Sequence, residues 1–163
     1  MRISSDIGVI SDTHGQVRPE ALRALADCEL ILHVGDIGKP GVMDALSEQA
    51  QVVAIRGNVD HGDWALVYPE TQELTVNGLR IQMVHRHQDI ETLLPDRSCD
   101  VVLFGHSHKP FNEIQDGVLY FNPGSAGPRR FSLPVTVGLL RVTDSGVEGQ
   151  IQELDVPGPR KRR

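Results

Sequence analysis

Ile7-Gly8-Val9-Ile10 leads directly into Ser11-Asp12-Thr13-His14. An apolar run that stops abruptly at polar residues suits a strand buried on both faces, as in the parallel sheets of α/β proteins. The pattern returns three times. Leu30-Ile31-Leu32-His33-Val34 precedes Gly35-Asp36, Val52-Val53-Ala54-Ile55 precedes Arg56-Gly57-Asn58, and Val101-Val102-Leu103-Phe104 precedes Gly105-His106-Ser107-His108. Four buried strands, each with polar residues at its C-terminal end, form the frame on which the rest of the chain is read.

Between the first two runs lies Pro19-Glu20-Ala21-Leu22-Arg23-Ala24-Leu25-Ala26. Pro19 opens a helix there, and Leu22 and Leu25 share one face. Val42-Met43-Asp44-Ala45-Leu46 reads as a second helix. Strand, helix, strand implies parallel neighbours joined by right-handed crossovers. Further on, residues 73–76 and 79–84 flank Asn77-Gly78, a dipeptide that favours the tight primed turn of a hairpin. Residues 89–94 read as a short helix before Pro95, and residues 135–142 and 147–154 as a second hairpin. The expected fold is α/β, with two packed sheets and helices outside. One domain is expected over residues 1–156, followed by a disordered basic tail at 157–163.

Bulk properties narrow the function. A length of 163 residues suits one domain, and 39% hydrophobic content supports a core without staples. Aromatics are only 4%, so that core rests on Val, Ile, Leu and Ala. The net charge of −6 argues against general attraction to nucleic acid or anionic membranes. It also disfavours phosphate esters at long range, so a phosphate site must carry its own positive charge, which bound cations would bring. Cys28 and Cys99 show no disulfide framework and read as free thiols in a reducing compartment. No apolar signal core follows Met1, and no apolar run approaches the roughly 18 residues of a membrane helix. A cytoplasmic location is expected.

The candidate chemistry sits at the strand ends. Asp12 and His14 follow the first strand, Asp36 the second and Asn58 the third. His85 ends the Asn-Gly hairpin, and His106 and His108 follow the strand that begins at Val101. If these strands are neighbours, the seven side chains converge on one rim. Carboxylate and imidazole together suit Mn, Fe, Zn or Ni more than calcium. Two cations roughly 3.5–4 Å apart can clamp the attacking and leaving oxygens of a displacement at phosphorus. Gly35, Gly57 and Gly105 are expected to let the backbone turn sharply beside a ligand. Singly, each residue has a plainer reading: Asp12 as a helix cap, Asp36 as a turn residue, Asn58 in a left-handed turn, His85 as a structural histidine, and 106–108 as a surface loop. Four strand ends with matched ligand types in one short chain outweigh those readings.

The series Asp12-x-His14, Gly35-Asp36, Gly57-Asn58-x-Asp60, His85 and Gly105-His106-Ser107-His108 resembles the calcineurin-like metallophosphoesterase superfamily. The short length and Asn122-Pro123-Gly124-Ser125 resemble its small YfcE-type phosphodiesterase branch. The resemblance implies a two-sheet β-sandwich flanked by α-helices, in four αββα layers. It also implies two divalent transition-metal ions, with manganese common in the family. Asp12, His14 and His108 would hold the first ion, Asn58, His85 and His106 the second, and Asp36 would bridge them. A bridging hydroxide would attack phosphorus, which makes Asp36, Asn58 and His85 the catalytic candidates.

Two positions depart from the family pattern. Phosphomonoesterase branches carry Gly-Asn-His-Glu, whose histidine helps protonate the leaving group, and Val59 stands there instead. His61 and His87 are the nearest substitutes, and a preference for activated phosphodiesters over alkyl monoesters follows. After His85 the family usually has glycine, where this chain has Arg86. Arg86 either crowds the loop or reaches the substrate phosphate, and His87 becomes a fallback ligand. Asn122 either builds a tight loop or supports the ligands from outside. Arg129 and Arg130 are solvated or contact phosphate, His33 is a core or supporting histidine, Asp60 orients the Asn58 loop, and Trp64 and Tyr68 form an apolar cap near the site.

Other functions compete with phosphodiester hydrolysis. They are a phosphomonoesterase, a structural metal domain, and a non-catalytic scaffold such as the retromer subunit that shares the fold. The complete ligand set favours catalysis, and seven ligands over two ions leave positions for water and substrate. The expected partner is a small phosphate ester. No membrane or stable nucleic-acid complex is expected, because Arg160-Lys161-Arg162-Arg163 is thin against the net charge. A homo-oligomer is left open.

Overall fold

Every residue of β1 (Ile7–Ile10) is buried, the outcome required of a strand covered on both faces. The computed structural model describes residues 1–94, 96, 98–130 and 132–157, so the expected tail at 157–163, apart from Pro157, lies outside the described residues. In chain order the elements are β1, α1 (Pro19–Ala24), β2 (Leu30–His33), α2 (Pro40–Ser47), β3 (Gln51–Ala54), β4 (Thr71–Val76), β5 (Leu79–Val84), a 3₁₀ turn (His87–Asp89), α3 (Ile90–Leu93), β6 (Val101–Leu103), β7 (Phe111–Gln115), β8 (Val118–Asn122), β9 (Thr136–Thr143) and β10 (Gly146–Glu153).

They build two five-stranded sheets, in the orders β10-β9-β1-β2-β3 and β4-β5-β6-β8-β7. β1, β2 and β3 run parallel in the first, and β5, β6 and β8 run parallel in the second. Alternation along the strands sorts the apolar side chains. Ile7, Val9, Leu30 and Leu32 of the first sheet meet Ile81, Met83, Leu103 and Phe121 of the second in the central core. Ile10 and Ile31 face outward, onto Ala21, Leu25, Val42 and Leu46 under α1 and α2. On the far side Val84, Val102 and Phe104 pack under Ile90 and Leu94. The layers therefore run helix, sheet, sheet, helix. Full burial of each such aliphatic side chain contributes about 1.5–3 kcal/mol before entropy.

Several local expectations shift. α1 ends at Ala24, two residues early, while Leu25 remains fully buried just beyond it. The β7–β8 hairpin is an addition, turning on Asp116-Gly117 with φ of 52° and 79°. Trp64 and Tyr68 pack, partly buried, against the core under α1 and α2. Cys28 and Cys99 are both free and buried, and they lie in opposite outer layers. Among the described residues no helix is long and apolar enough to cross a membrane.

Candidate metal centre

The loops leaving β1 and β2 are laced together by Asp12 N–H to Gly35 O (3.0 Å) and His14 N–H to Asp36 O (3.0 Å). The exits of β3, β5 and β6 arrive at the same edge. Asp12 is fully buried. Its Oδ2 accepts from Ser11 Oγ (2.6 Å) and His106 N (3.1 Å). Its Oδ1 is buried with no hydrogen-bond donor, and lies 3.5 Å from His108 Nε2, 3.8 Å from His85 Nε2 and 3.9 Å from His14 Nε2. His14 and His108 bring their Nε2 atoms to 3.4 Å. Asp36 Oδ2 stands between the two halves, 3.2 Å from His85 Nε2 and 3.8 Å from His14 Nε2, while its Oδ1 accepts from Val59 N (3.1 Å). Asn58 Oδ1 meets His106 Nδ1 at 3.1 Å.

All seven residues singled out from the sequence therefore share one site. Six of them fall into two groups, Asp12/His14/His108 and Asp36/His85/His106, each with ligand atoms within 4.8 Å of one another, and Asn58 adjoins the second through His106. The donor set fits divalent cations on its own chemistry. A buried carboxylate oxygen with no donor costs about 1–3 kcal/mol or more, and Asp12 Oδ1 is in that state. His85 Nδ1 lies 2.7 Å from Val34 O. A carbonyl only accepts, so Nδ1 carries the hydrogen and a neutral ring aims its Nε2 lone pair into the site. That Nε2 is buried and makes no hydrogen bond, despite its nearness to Asp36. Neighbouring ligands on one ion, each bonded at about 2.1 Å, stand about 3 Å apart. The Asn58–His106 and His14–His108 approaches have this spacing.

Electrostatics agree. Burial works against the Asp36 carboxylate, but His85, the Val59 N–H and His14 outweigh it and hold its pKa down at about 2. Burial also opposes a charge on His85, yet Asp36, Asp12 and the Val34 carbonyl raise its pKa. His14 is lowered chiefly by burial, as is His106. A cation entering the site would therefore displace a proton from His85 before one from His14 or His106.

Supporting residues lock this arrangement. Asp60 accepts from Ile37 N (3.0 Å), Gly38 N (2.9 Å) and Gly57 N (2.8 Å), pinning the exits of β2 and β3 to each other. Asn122 combines both roles weighed for it. Its Oδ1 closes its own loop on Gly124 N (2.9 Å), and its Nδ2 reaches Gly105 O and Ser107 Oγ, each at 3.2 Å, between the two loop histidines. His33 Nδ1 accepts from Gly35 N (3.1 Å), so its Nε2 donates to Thr13 Oγ1 (3.0 Å), which donates to Ile37 O (2.9 Å). Burial pushes His33 down to about 4. Ser11 and Ser125, whose Oγ bonds Asp12 O (3.1 Å), were not singled out from the sequence. The signals were the adjacency of Ser11 to Asp12 and the place of Ser125 at the end of Asn122-Pro123-Gly124-Ser125.

Of the expected sharp-turning glycines, Gly35 alone has left-handed backbone, with φ +99°. A side chain there would also press within 2.6 Å of His85 Nδ1. Gly57 and Gly105 instead give room, since a Cβ would overlap Asp36 at one and Ser11 Oγ at the other. His61 and His87 are exposed, and neither joins the two groups. His87 lies against Phe104, with ring centroids 5.2 Å apart. Arg86 forks onto Asp89, and Arg130 lies close enough to His14 to lower its pKa further.

The chain belongs to the calcineurin-like phosphoesterase superfamily, whose domain matches residues 6–145. It is thus a metallophosphoesterase, a hydrolase of phosphoric ester bonds. A probable metallophosphoesterase of Methanothermobacter thermautotrophicus is 34% identical, over 93% of this chain and 94% of the relative. Phosphodiesterase YfcE of Escherichia coli is 28% identical, over 80% of this chain and 84% of its own length. An archaeal phosphodiesterase structure superposes with a TM-score of 0.75 at 24% identity, covering 91% of this chain and all of the other. Vps29 of Chaetomium thermophilum does so with 0.71 at 19%, covering 93% and 100%. At these identities the two structures speak for the fold alone.

Proposed function

We propose that this chain hydrolyses phosphodiesters with the help of two divalent cations, manganese first among Mn, Fe, Zn and Ni. Asp12, His14 and His108 would hold one ion, and Asn58, His85 and His106 the other, with Asp36 shared between them. The observation that carries this reading is the pair of ligand groups around the undonated Asp12 Oδ1 and the His85 Nε2 lone pair. When bound, the cations supply Lewis acidity at the phosphoryl oxygens and lower the pKa of water for in-line attack.

The protein's own residues do the positioning. Val34 O fixes the His85 tautomer, Ser11 and the His106 N–H hold one Asp12 oxygen so that the other faces inward, and the Val59 N–H does the same for Asp36. Val59 contributes only its backbone. Neither His61 nor His87 is among the two ligand groups and Val59 offers no side-chain proton, which favours a good leaving group. That supports diesters with acidic alcohols over alkyl monoesters. The phosphodiesterase name of the YfcE relative supports the same choice. A single domain over 1–156 and a cytoplasmic setting complete the proposal. The scaffold reading has the Vps29 likeness behind it, but the full ligand set in one site favours catalysis.

The test is Asp36→Asn, read by metal analysis and by hydrolysis of bis(p-nitrophenyl) phosphate with added manganese. Turnover should fall by about 100-fold or more, since several kcal/mol of transition-state stabilisation pass through the shared carboxylate, and metal content should drop below two ions per chain. Full activity in Asp36→Asn would remove the shared-ligand role.

A further inference from the structure

Beside Asn58 and His85 the surface opens into a cavity of about 440 Å³, within the roughly 300–1,000 Å³ typical of small-molecule sites. Its walls carry two arginines and two acids, Arg56, Arg86, Glu70 and Asp89, over apolar surface from Val84 and Leu93. The charges cancel in pairs. Arg86 Nε and Nη2 bond the two Asp89 oxygens at 2.8 and 3.1 Å. Arg56 Nη2 lies 3.7 Å from Glu70, and its Nη1 bonds Tyr68 O at 2.5 Å.

This balance decides what fits. A second phosphate or a carboxylate entering the cavity would meet Glu70 and Asp89, and would have to break the Arg86–Asp89 fork to gain a cation. An uncharged group with hydroxyls finds acceptors in the two carboxylates and donors on the outer guanidinium edges. A ring finds the flat guanidinium face and the Leu93 side chain. Arg86 is also held in place beforehand. Its backbone is extended, at φ −109° and ψ 135°, and the 3₁₀ turn that follows returns Asp89 N to Arg86 O at 3.0 Å. Backbone and side chain are thus tied to the same residue, and little rotamer freedom is left to lose on binding. Of the five guanidinium N–H groups, Asp89 engages one on Nε and one on Nη2. Among the described residues no other acceptor is bonded to it.

We propose that this cavity seats one ester substituent of the substrate and selects an uncharged, hydroxyl-bearing group such as a pentose, with Arg86, fixed by Asp89, as the residue that sets the selectivity. This rests on the phosphodiesterase reading above.

The experiment uses the manganese-loaded full chain and two diesters that release the same p-nitrophenolate, the p-nitrophenyl esters of thymidine 5′-phosphate and of methyl phosphate. The wild type should favour the thymidine ester through a lower KM. Arg86→Gly should cut the thymidine-to-methyl ratio of kcat/KM by about tenfold, mainly in KM, and Arg86→Lys should restore little because it lacks the fork. A ratio that moves less than twofold in folded Arg86→Gly overturns the proposal, as does wild-type preference for a diester with a carboxylate-bearing substituent. If the wild type turns over no diester, the phosphodiesterase reading fails and the seat is judged separately. Shifts of the Leu93 methyl signals with millimolar thymidine, lost in Arg86→Gly, would uphold it, and their absence in the wild type would overturn it.

Discussion

Gly57→Ala tests the site without replacing a candidate ligand. Gly57 does not have left-handed backbone, so alanine fits its conformation. The new methyl would overlap Asp36 N and Oδ1 and come within 2.9 Å of Asp36 Cγ, where ordinary contact begins at 3.4 Å. Asp36 has little room to yield, because its Oδ1 is held by Val59 N at 3.1 Å and its Oδ2 faces His85 at 3.2 Å. Either the carboxylate or the β3 exit must move by about 1 Å, a displacement that can cost about 100-fold in rate, or about 2.7 kcal/mol. The assay is kcat/KM for bis(p-nitrophenyl) phosphate with metal content and thermal melting measured alongside. Gly41→Ala is the control, since nothing lies within 4 Å of its Cβ position in α2, and alanine there should add about 0.5–1 kcal/mol of stability. If Gly57→Ala keeps its rate within threefold and its metal content unchanged, the close approach of Gly57 to Asp36 has no bearing on catalysis and the reasoning fails.

Three further outcomes are expected. In metal-stripped protein, His33 titrates near 4 when folded and near 6.5 when unfolded. The unfolded chain takes up the extra proton in that window, so stability present above pH 6.5 is lost as pH falls toward 4, by up to roughly 3 kcal/mol. Urea melts across that range should show a flatter slope in His33→Gln, and equal slopes would count against the assignment. Asn122→Ala, which frees Gly105 O and Ser107 Oγ, should weaken metal binding about 10–100-fold, as read by titration of manganese into apo protein. Manganese at a hundredfold excess over its Kd should stabilise the apo protein by about 2.7 kcal/mol. Its apparent affinity should rise with pH until the raised His85 pKa is passed and then level off; a pH-independent affinity would mean His85 is not displaced.

The candidate ligands were readable because most follow an apolar run that stops at polar residues, as Ile7 to Ile10 before Asp12 shows; β3, ahead of Asn58, is instead an edge strand with only Ala54 buried, and β5, ahead of His85, is interrupted by Arg80 and Gln82. The β7–β8 hairpin was harder to read because β7 is an edge strand. Four of its five residues are exposed, so Phe111-Asn112-Glu113-Ile114-Gln115 shows no alternation of burial. The Asp116-Gly117 turn was its one signal. What supports the ligands was less legible still. The Val34 carbonyl that orients His85 lies 51 positions away in sequence, and the Ser125 hydroxyl on Asp12 O lies 113 away. Such contacts follow from how two sheets are stacked, which no local pattern encodes.

Five of the seven metal-site residues, Asp12, His14, Asp36, His106 and His108, have positive φ between 47° and 70°. Side-chain-bearing residues hold that backbone at a penalty of about 1–2 kcal/mol apiece, so tension is concentrated along one edge of an otherwise relaxed sandwich. Glycine would relieve that penalty at each position, but at Asp12 and Asp36 it would also forfeit the hydrogen bonds from Ser11 Oγ, the His106 N–H and the Val59 N–H, so the tension is held by the same contacts that aim the carboxylates inward.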